Sequence, residues 1–161
     1  MPDESVCMLS PYLGEIHWET GCELQFPGGL PGFEQYRRMV PVEIPSQRPL
    51  IYLQSAEKAG VCFLTLPVLA IHPGFDLRLS EDDLSLLELD RFTLPDGEAP
   101  ALGTDVLCLA LLFPSGPTVR TNLDAPIVIN LHNCRGIQAV SAAAVSGSYR
   151  LSECGVWEAI C

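Results

Sequence analysis

The side chains able to do acid-base or nucleophilic chemistry are scattered along the 161 residues of this chain. The three histidines, His17, His72 and His132, lie far apart, and each lacks a nearby partner in the sequence. No G-x-S-x-G segment occurs, and Ser115 lies in a Pro-Ser-Gly-Pro run that is typical of a turn. Because such catalysis needs a nucleophile, a base and an orienting group, the sequence predicts no catalytic residue and no enzyme.

The seven cysteines contain no C-x-x-C pair, the spacing that many zinc frameworks use. His132 and Cys134 could contact one metal ion, but a loop histidine near a free thiol is the favoured interpretation. Cys62 and Cys108 lie in apolar runs and are predicted to be small core residues. A glycine-rich phosphate loop is also missing, so we expect neither a metal site nor a cofactor.

The acidic run Glu81-Asp82-Asp83 has a structural explanation. Ser80 precedes it as a helix N-cap, and Asp83 stands three residues later, where it completes a capping box. Three consecutive helical residues point in different directions, which disfavours a metal site. We therefore predict a helix that begins after Ser80 and ends near Leu89.

The most constrained segment of the chain is Phe26 to Glu34, with the sequence FPGGLPGFE. Proline fixes φ and glycine permits positive φ, so each of its two Pro-Gly pairs predicts a tight turn. The two turns should form a rigid double turn that directs Leu30 and Phe33. A loop of this kind presents a surface or closes a barrel corner.

A second constellation runs from Asn122 to Asn130. Asn122 can close an Asx-turn, and Pro126 opens a strand at a position where its missing N–H costs little. Asn130 then begins the turn that leads to Gly136.

The composition and net charge of the chain limit the classes of partner that it can bind. Apolar residues make up 48% of the chain and charged residues 18%, which is typical of one globular domain. The net charge of −11 disfavours direct binding of nucleic acid and favours a basic partner. No apolar run reaches the ~18 residues of a membrane helix, so no membrane partner is expected. Asp3 and Glu4 stand where a signal peptide carries positive charge, so we predict a cytoplasmic protein.

Short alternating or apolar runs dominate the chain and predict eight or nine strands. Pro41 lies inside one run and suggests an edge strand, and Thr20-Gly21 suggests a hairpin turn. The predicted fold is mostly β, a small antiparallel β-barrel-like single domain with one or two short helices. The predicted strands cover 12–18, 23–26, 39–44, 50–55, 61–66, 75–79, 106–113, 125–131 and 136–140.

Domain boundaries follow from the same runs. The barrel is predicted over residues 12–145, with an N-terminal extension over 1–11 and a C-terminal tail over 146–161. The Pro- and Gly-containing segment 92–104 is predicted to be a loop, and the small, polar segment 141–148 a linker.

Taken together, these segments resemble the FliW family of flagellar assembly factors. The likeness follows the order of the chain from Tyr12 to Val140, which makes it more specific than any single piece. It is carried by YLGEI at 12–16, FPGGLPGF at 26–33, LQS at 53–55, LSEDDL at 79–84, NLDAPIVIN at 122–130 and GIQ at 136–138.

The resemblance implies a small β-barrel-like protein without catalysis. Such proteins bind flagellin in the cytoplasm and also bind the translational regulator CsrA, relieving its repression of flagellin synthesis. Flagellin that accumulates would occupy the factor and free CsrA to repress. The partner-binding residues that the resemblance implies are Gly29, Leu30, Pro31, Gly32, Phe33, Glu34, Asn122, Asp124, Pro126 and Asn130.

Two other interpretations stay open from the residues. The chain could be a small-molecule-binding β-barrel with a pocket lined by Trp18, Phe63 and Phe113. It could also be a thiol-based redox protein, which would require a cysteine of low pKa.

Overall fold

The computed structural model describes residues 4–89, 100–139, 148–151 and 157–160. Within these ranges the chain forms short strands, two α-helices and a 3-10 turn at Pro45–Gln47. The helices are α1 (Val68–Ile71) and α2 (Glu81–Leu86), and no helix in these ranges has the length and apolar character needed to cross a membrane. The strands are β1 (Ser5–Ser10), β2 (Gly14–Glu19), β3 (Leu24–Gln25), β4 (Arg38–Val42), β5 (Ile51–Ser55), β6 (Cys62–Pro67), β7 (Val106–Ser115), β8 (Thr118–Asn122), β9 (Ile127–Asn130), β10 (Gly136–Gln138), β11 (Ser148–Leu151) and β12 (Trp157–Ile160).

Seven strands follow one another around a ring in the order β3-β4-β5-β6-β7-β9-β10, and every neighbouring pair is antiparallel. An isolated bridge between Gln25 and Arg135 brings the two ends of the ring together. The amide of Gln25 donates to the carbonyl of Cys134 at 2.8 Å across this seam. The predicted mostly-β, nearly closed barrel is therefore confirmed.

Strand β7 organises the sheet because its two halves have different neighbours. Val106 to Leu109 pairs with β9, whereas Leu112 to Ser115 pairs with β8. β8 then pairs with β11, and β11 pairs with β12, so three strands extend away from the ring. The apolar run predicted as a buried central strand is confirmed, and Gly116, at a φ of 61°, makes the predicted turn after it.

Within the described ranges, the core has three parts. One cluster fills the barrel and includes Phe26, Leu53 and Leu109. A second lies beneath α2 and includes Leu87 and Leu89. The third is small and lies between the β1–β2 hairpin and Val40.

The β1–β2 hairpin was not predicted, because the sequence before Pro11 has weak alternation. Six residue pairs join its strands, from Ser5 with Glu19 to Ser10 with Gly14. Ile16 and Trp18 face the core and are buried.

Three local predictions are wrong. The run 75–79 forms no strand, although Phe75 and Leu77 are buried at alternate positions, because Leu77 alone makes a bridge and the pairing does not extend along the run. Thr20-Gly21 does not join a hairpin, since β2 pairs with β1 and β3 pairs with β4. β4 is not an edge strand, because it pairs with β3 on one side and with β5 on the other. Pro41 is tolerated because β3 pairs only with Arg38 and Met39 and so requires no N–H from Pro41.

The predicted helix starts as expected but is shorter. Ser80 caps it, and the amide of Asp83 donates to the Ser80 hydroxyl at 3.0 Å. The last helical residue is Leu86, and Glu88 follows with a φ of 58°. Most of the predicted loop 92–104 and nearly all of the predicted linker 141–148 lie outside the described residues.

Candidate binding surface

The Pro-Gly segment folds as the predicted double turn. The amide of Gly29 donates to the carbonyl of Phe26 at 2.9 Å, and the amide of Phe33 donates to the carbonyl of Leu30 at 2.7 Å. Gly29 and Gly32 have φ of 65° and 85°, which residues with a side chain rarely adopt. Local covalent geometry therefore determines the path of this loop.

The loop buries one apolar side chain and presents another. Leu30 is 2% exposed and packs in the barrel cluster, whereas Phe33 is 37% exposed. The Phe33 ring stands edge-on to the ring of Phe63 in β6, with 5.0 Å between centroids. This arrangement fixes an exposed aromatic ring on the barrel.

Glu34 is tied to the same loop. Its carboxylate accepts a hydrogen bond from the amide of Gly32 at 2.9 Å, which lowers the pKa of the Glu34 carboxyl. A Cβ on Gly29 would lie 2.6 Å from the Cα of Glu34, closer than real Cβ contacts. Only glycine therefore fits at position 29 without a shift of the backbone.

The return of the loop into the sheet is held by two carboxylates. Glu57 accepts from the amides of Arg37 and Arg38 at 3.0 Å each. The Arg38 guanidinium lies 3.7 Å from Glu57 and 3.7 Å from Glu23. These contacts were not predicted, because they join positions that are distant in the sequence.

Glu23 is a buried carboxylate with several partners. It accepts from the Trp18 indole at 3.2 Å and from the Gly21 amide at 2.9 Å. Burial raises the pKa of the Glu23 carboxyl, but its backbone and Trp18 hydrogen bonds, with Arg38, hold that pKa below its ordinary value of 4.5. Glu23 therefore links the β1–β2 hairpin to the base of the Pro-Gly loop.

The segment 122–130 has an exposed beginning and a buried end. The Asn122 side chain accepts from the amide of Asp124 at 2.8 Å, which is the predicted Asx-turn. Asn122 is exposed and Asp124 is half-buried, whereas Pro126 and Asn130 are buried. Only the first part of this segment can therefore touch a partner directly.

Asn130 connects the barrel to α2. Its side-chain amide donates to the carbonyl of Leu87 at 2.8 Å, and its side-chain oxygen accepts from the amide of His132 at 2.9 Å. Arg135 donates to the carbonyl of Leu86 at 3.0 Å. Asn130 and Arg135 thus bind carbonyls that the end of α2 leaves unpaired.

The two segments share a core but make no direct polar contact. Leu30 packs in the same cluster as Ile127 and Ile129. No hydrogen bond among the described residues joins the Pro-Gly loop to 122–130. The exposed predicted residues with side chains are Pro31, Phe33, Glu34 and Asn122, together with half-buried Asp124.

An apolar cavity of about 420 Å³ opens into the barrel. Its walls include Leu24, Ile51, Leu109 and Ile129. The aromatic residues predicted to line a pocket lie elsewhere. Trp18 packs under the β1–β2 hairpin, Phe63 contacts Phe33, and Phe113 is 52% exposed.

His132 and Cys134 were interpreted as a loop histidine near a free thiol, and Cys62 and Cys108 as core residues; Cys108 is buried and Cys62 is half-buried. His132 lies 3.1 Å from the carboxylate of Asp105, and Cys134 is exposed beside the barrel seam. Burial raises the pKa of the Cys62 thiol to about 11 and that of Cys108 to about 12. These two thiols are therefore unsuited to redox chemistry.

The fold and this surface define a small, nearly closed antiparallel β-barrel protein whose exposed loops have fixed conformations. A model of the family described as FliW protein matches residues 8–151. This chain therefore belongs to the FliW family, as its resemblance predicts.

Relatives named flagellar assembly factor FliW agree with this assignment. The protein of Azoarcus sp. (strain BH72) is 30% identical over 140 residues, covering 81% of this chain and 88% of the relative. That of Oceanobacillus iheyensis is 32% identical over 124 residues, covering 76% and 77%. A crystal structure of the flagellar assembly factor FliW has the same fold, with a TM-score of 0.71, 23% identity and coverage of 88% of this chain and 94% of that one.

Proposed function

We propose that this protein is a flagellar assembly factor that acts by binding other proteins in the cytoplasm, without catalysis. The observation that carries the proposal is membership of the FliW family over residues 8–151. Its expected partners are flagellin and a CsrA-type translational regulator. Flagellin would displace the regulator, so that flagellin synthesis follows export.

The exposed part of the Pro-Gly loop supports a role in recognition. Phe33 supplies an apolar ring, and Glu34 supplies a carboxylate, both on a backbone with little freedom. A rigid contact loses less conformational entropy on binding than a mobile one. Asn122 and Asp124 offer a second polar surface, whereas buried Pro126 and Asn130 would shape it from within.

Charge supports the choice of partner. The chain carries a net charge of −11, which repels nucleic acid and speeds encounter with a basic protein. CsrA-type regulators bind RNA and carry basic surfaces, so an acidic protein can reach them electrostatically. Binding to such a regulator is therefore expected to weaken as salt concentration rises.

Competition between purified proteins tests the proposal. The full chain is immobilised and exposed to the regulator and then to flagellin from the same organism. Capture of each partner alone and release of the regulator by flagellin are expected. A folded chain that captures neither partner would overturn the proposal.

A pair of matched variants tests the loop itself. Phe33→Ala removes a ring that is 37% exposed, and Leu69→Ala removes a side chain that is 41% exposed on α1. We expect Phe33→Ala to weaken binding of at least one partner by about tenfold, since anchoring aromatic residues carry more than 1 kcal/mol. Equal affinities for the two variants would exclude the loop as a contact.

The apolar cavity favours a second candidate, a barrel that binds a small apolar molecule. Its volume of about 420 Å³ lies in the range of ligand sites. Native mass spectrometry of the purified protein would reveal a bound molecule. A single mass equal to that of the bare chain would count against this candidate.

A further inference from the structure

The outer face of the β1–β2 hairpin carries three different metal-binding side chains. The sulfur of Cys7 lies 3.4 Å from Glu15 Oε1, and Nε2 of His17 lies 3.0 Å from the same oxygen. The three donor atoms all lie within 4.8 Å of one another. All three side chains are exposed, so an ion can reach them from solvent.

The strand register creates this cluster. Cys7 and His17 are directly paired across the hairpin, and Glu15 precedes His17 by two residues. Side chains at such positions share one face of a strand pair. The opposite face holds Met8, Ile16 and other apolar residues against the core, so the hairpin cannot turn its donors inward.

The scaffold under the donors is well anchored. Six residue pairs join β1 to β2, and the Ser10 hydroxyl donates to the buried side chain of Gln54 at 2.8 Å. The Trp18 indole holds the other strand through Glu23. A site on a fixed strand pair needs little reorganisation to bind its ion.

We propose that Cys7, Glu15 and His17 form a surface site for a divalent zinc ion. A thiolate, an imidazole and a carboxylate are all zinc ligands, and three protein ligands leave a fourth tetrahedral position for water or a donor from another molecule. Zinc bonds of about 2.0 to 2.3 Å place tetrahedral ligand atoms roughly 3.3 to 3.8 Å apart. The donor distances of 3.0 and 3.4 Å are close to that spacing.

Zinc binding replaces a proton with a metal ion at the Cys7 sulfur. The Cys7 thiol gives its proton to solvent and forms a sulfur–zinc bond. The proton on His17 Nε2 also leaves that nitrogen through solvent, so that its lone pair can bind zinc, and the Glu15 carboxylate donates an oxygen lone pair. Desolvation and the Glu15 carboxylate raise the pKa of the Cys7 thiol in the free protein. A bound zinc ion opposes this increase because its positive charge favours the Cys7 thiolate.

Metal titration of the untagged, reduced full chain tests the site. Cobalt(II) is added to the metal-free protein, and its absorption spectrum is followed. We expect one equivalent to produce a thiolate-to-cobalt charge-transfer band and the strong visible bands of tetrahedral coordination. Zinc should then displace cobalt and remove both signals.

Variants identify the ligands. Cys7→Ser and His17→Gln should each weaken zinc binding by at least about tenfold, since even changes around a metal site cost 10- to 100-fold. Cys134→Ser removes another exposed thiol and should leave the affinity unchanged. Near-ultraviolet circular dichroism checks that each variant is folded.

Three results would exclude a zinc site formed by Cys7, Glu15 and His17. A cobalt spectrum without a charge-transfer band would overturn the proposal, and so would equal zinc affinities for Cys7→Ser and the unmodified chain. Loss of the charge-transfer band in Cys134→Ser alone would move the thiolate to another place and also overturn it.

Discussion

Two connections of the barrel are fixed by different means. The Pro-Gly loop between β3 and β4 is determined by its own backbone, through two tight turns and two glycines at positive φ. The turn between β9 and β10 depends on distant partners, because Asn130 and Arg135 bind carbonyls at the end of α2. The first connection is exposed and rigid, and the second is part of the fold's internal framework.

The Pro-Gly loop offers exposed side chains to a partner, whereas the side chains of the β9–β10 turn hold parts of the fold together. The Pro-Gly loop has turns that are set locally, and it presents Phe33 against Phe63 of β6 and Glu34 against the Gly32 amide. The β9–β10 turn is fixed by tertiary contacts and contributes to stability. Its Asn130 and Arg135 side chains are already hydrogen-bonded to α2 and are not free to bind a partner. We therefore expect substitutions in the two regions to differ in mechanism as well as in size.

The largest effect on the free energy of unfolding is expected at Gly29 in the Pro-Gly loop. Gly29→Ala adds a Cβ 2.6 Å from the Glu34 backbone at a φ of 65°. Backbone strain and overpacking together should lower the free energy of unfolding by roughly 2–5 kcal/mol. Urea denaturation measures this change, with Gly28→Ala as the control because a Cβ there meets open space.

The next largest effect on the free energy of unfolding is expected at Asn130, where the turn between β9 and β10 begins. Asn130→Ala removes the 2.8 Å bond to the Leu87 carbonyl, which keeps a longer bond of 3.3 Å from Asn133, and it removes the acceptor of the His132 amide. We expect a loss of about 1–3 kcal/mol in the free energy of unfolding. Asn122→Ala, which breaks an exposed Asx-turn, should cost less in the same denaturation experiment. Equal costs would show that burial does not distinguish the two asparagines.

Gly32 separates strain from crowding in the Pro-Gly loop. Its φ is 85°, but a Cβ would meet nothing within 4 Å. Gly32→Ala should therefore cost only the backbone strain, about 1–2 kcal/mol. A loss as large as that of Gly29→Ala in thermal unfolding would mean that crowding at Gly29 is unimportant.

The smallest effect concerns Glu34 and pH. The Gly32 amide lowers the pKa of this carboxyl in the folded protein below its ordinary value of 4.5. A depressed pKa contributes stability that is present above the unfolded pKa and is lost as pH falls through the folded pKa. NMR titration should place the Glu34 midpoint below 4.5, and a midpoint at or above that value would contradict the hydrogen bond.

The sequence predicts features that depend on neighbouring residues. Both Pro-Gly turns, the Ser80 cap and the Asn122 turn follow from local covalent geometry and local hydrogen bonds, and the structure confirms each. The family and the barrel follow from the order of several such segments.

Features that depend on distant residues were missed. The contacts of Arg38 with Glu23 and of Asn130 with α2 join segments that no local pattern connects. The neighbouring strands β1 and β2 were missed for another reason, the weak alternation before Pro11. The Cys7, Glu15 and His17 cluster was not predicted, because its donor atoms come together only when the β1–β2 hairpin forms. Register, rather than composition, creates these sites.

The seam of the barrel has a dynamic consequence. One isolated bridge joins Gln25 to Arg135, whereas β4 and β5 pair over four positions. We therefore expect local opening to begin at the seam, before β7 and its neighbours open. The Gln25 amide should exchange its hydrogen with solvent much faster than the Leu53 amide. Since Cys134 lines the cavity beside this seam, we expect such opening to give solvent and small molecules access to the barrel interior.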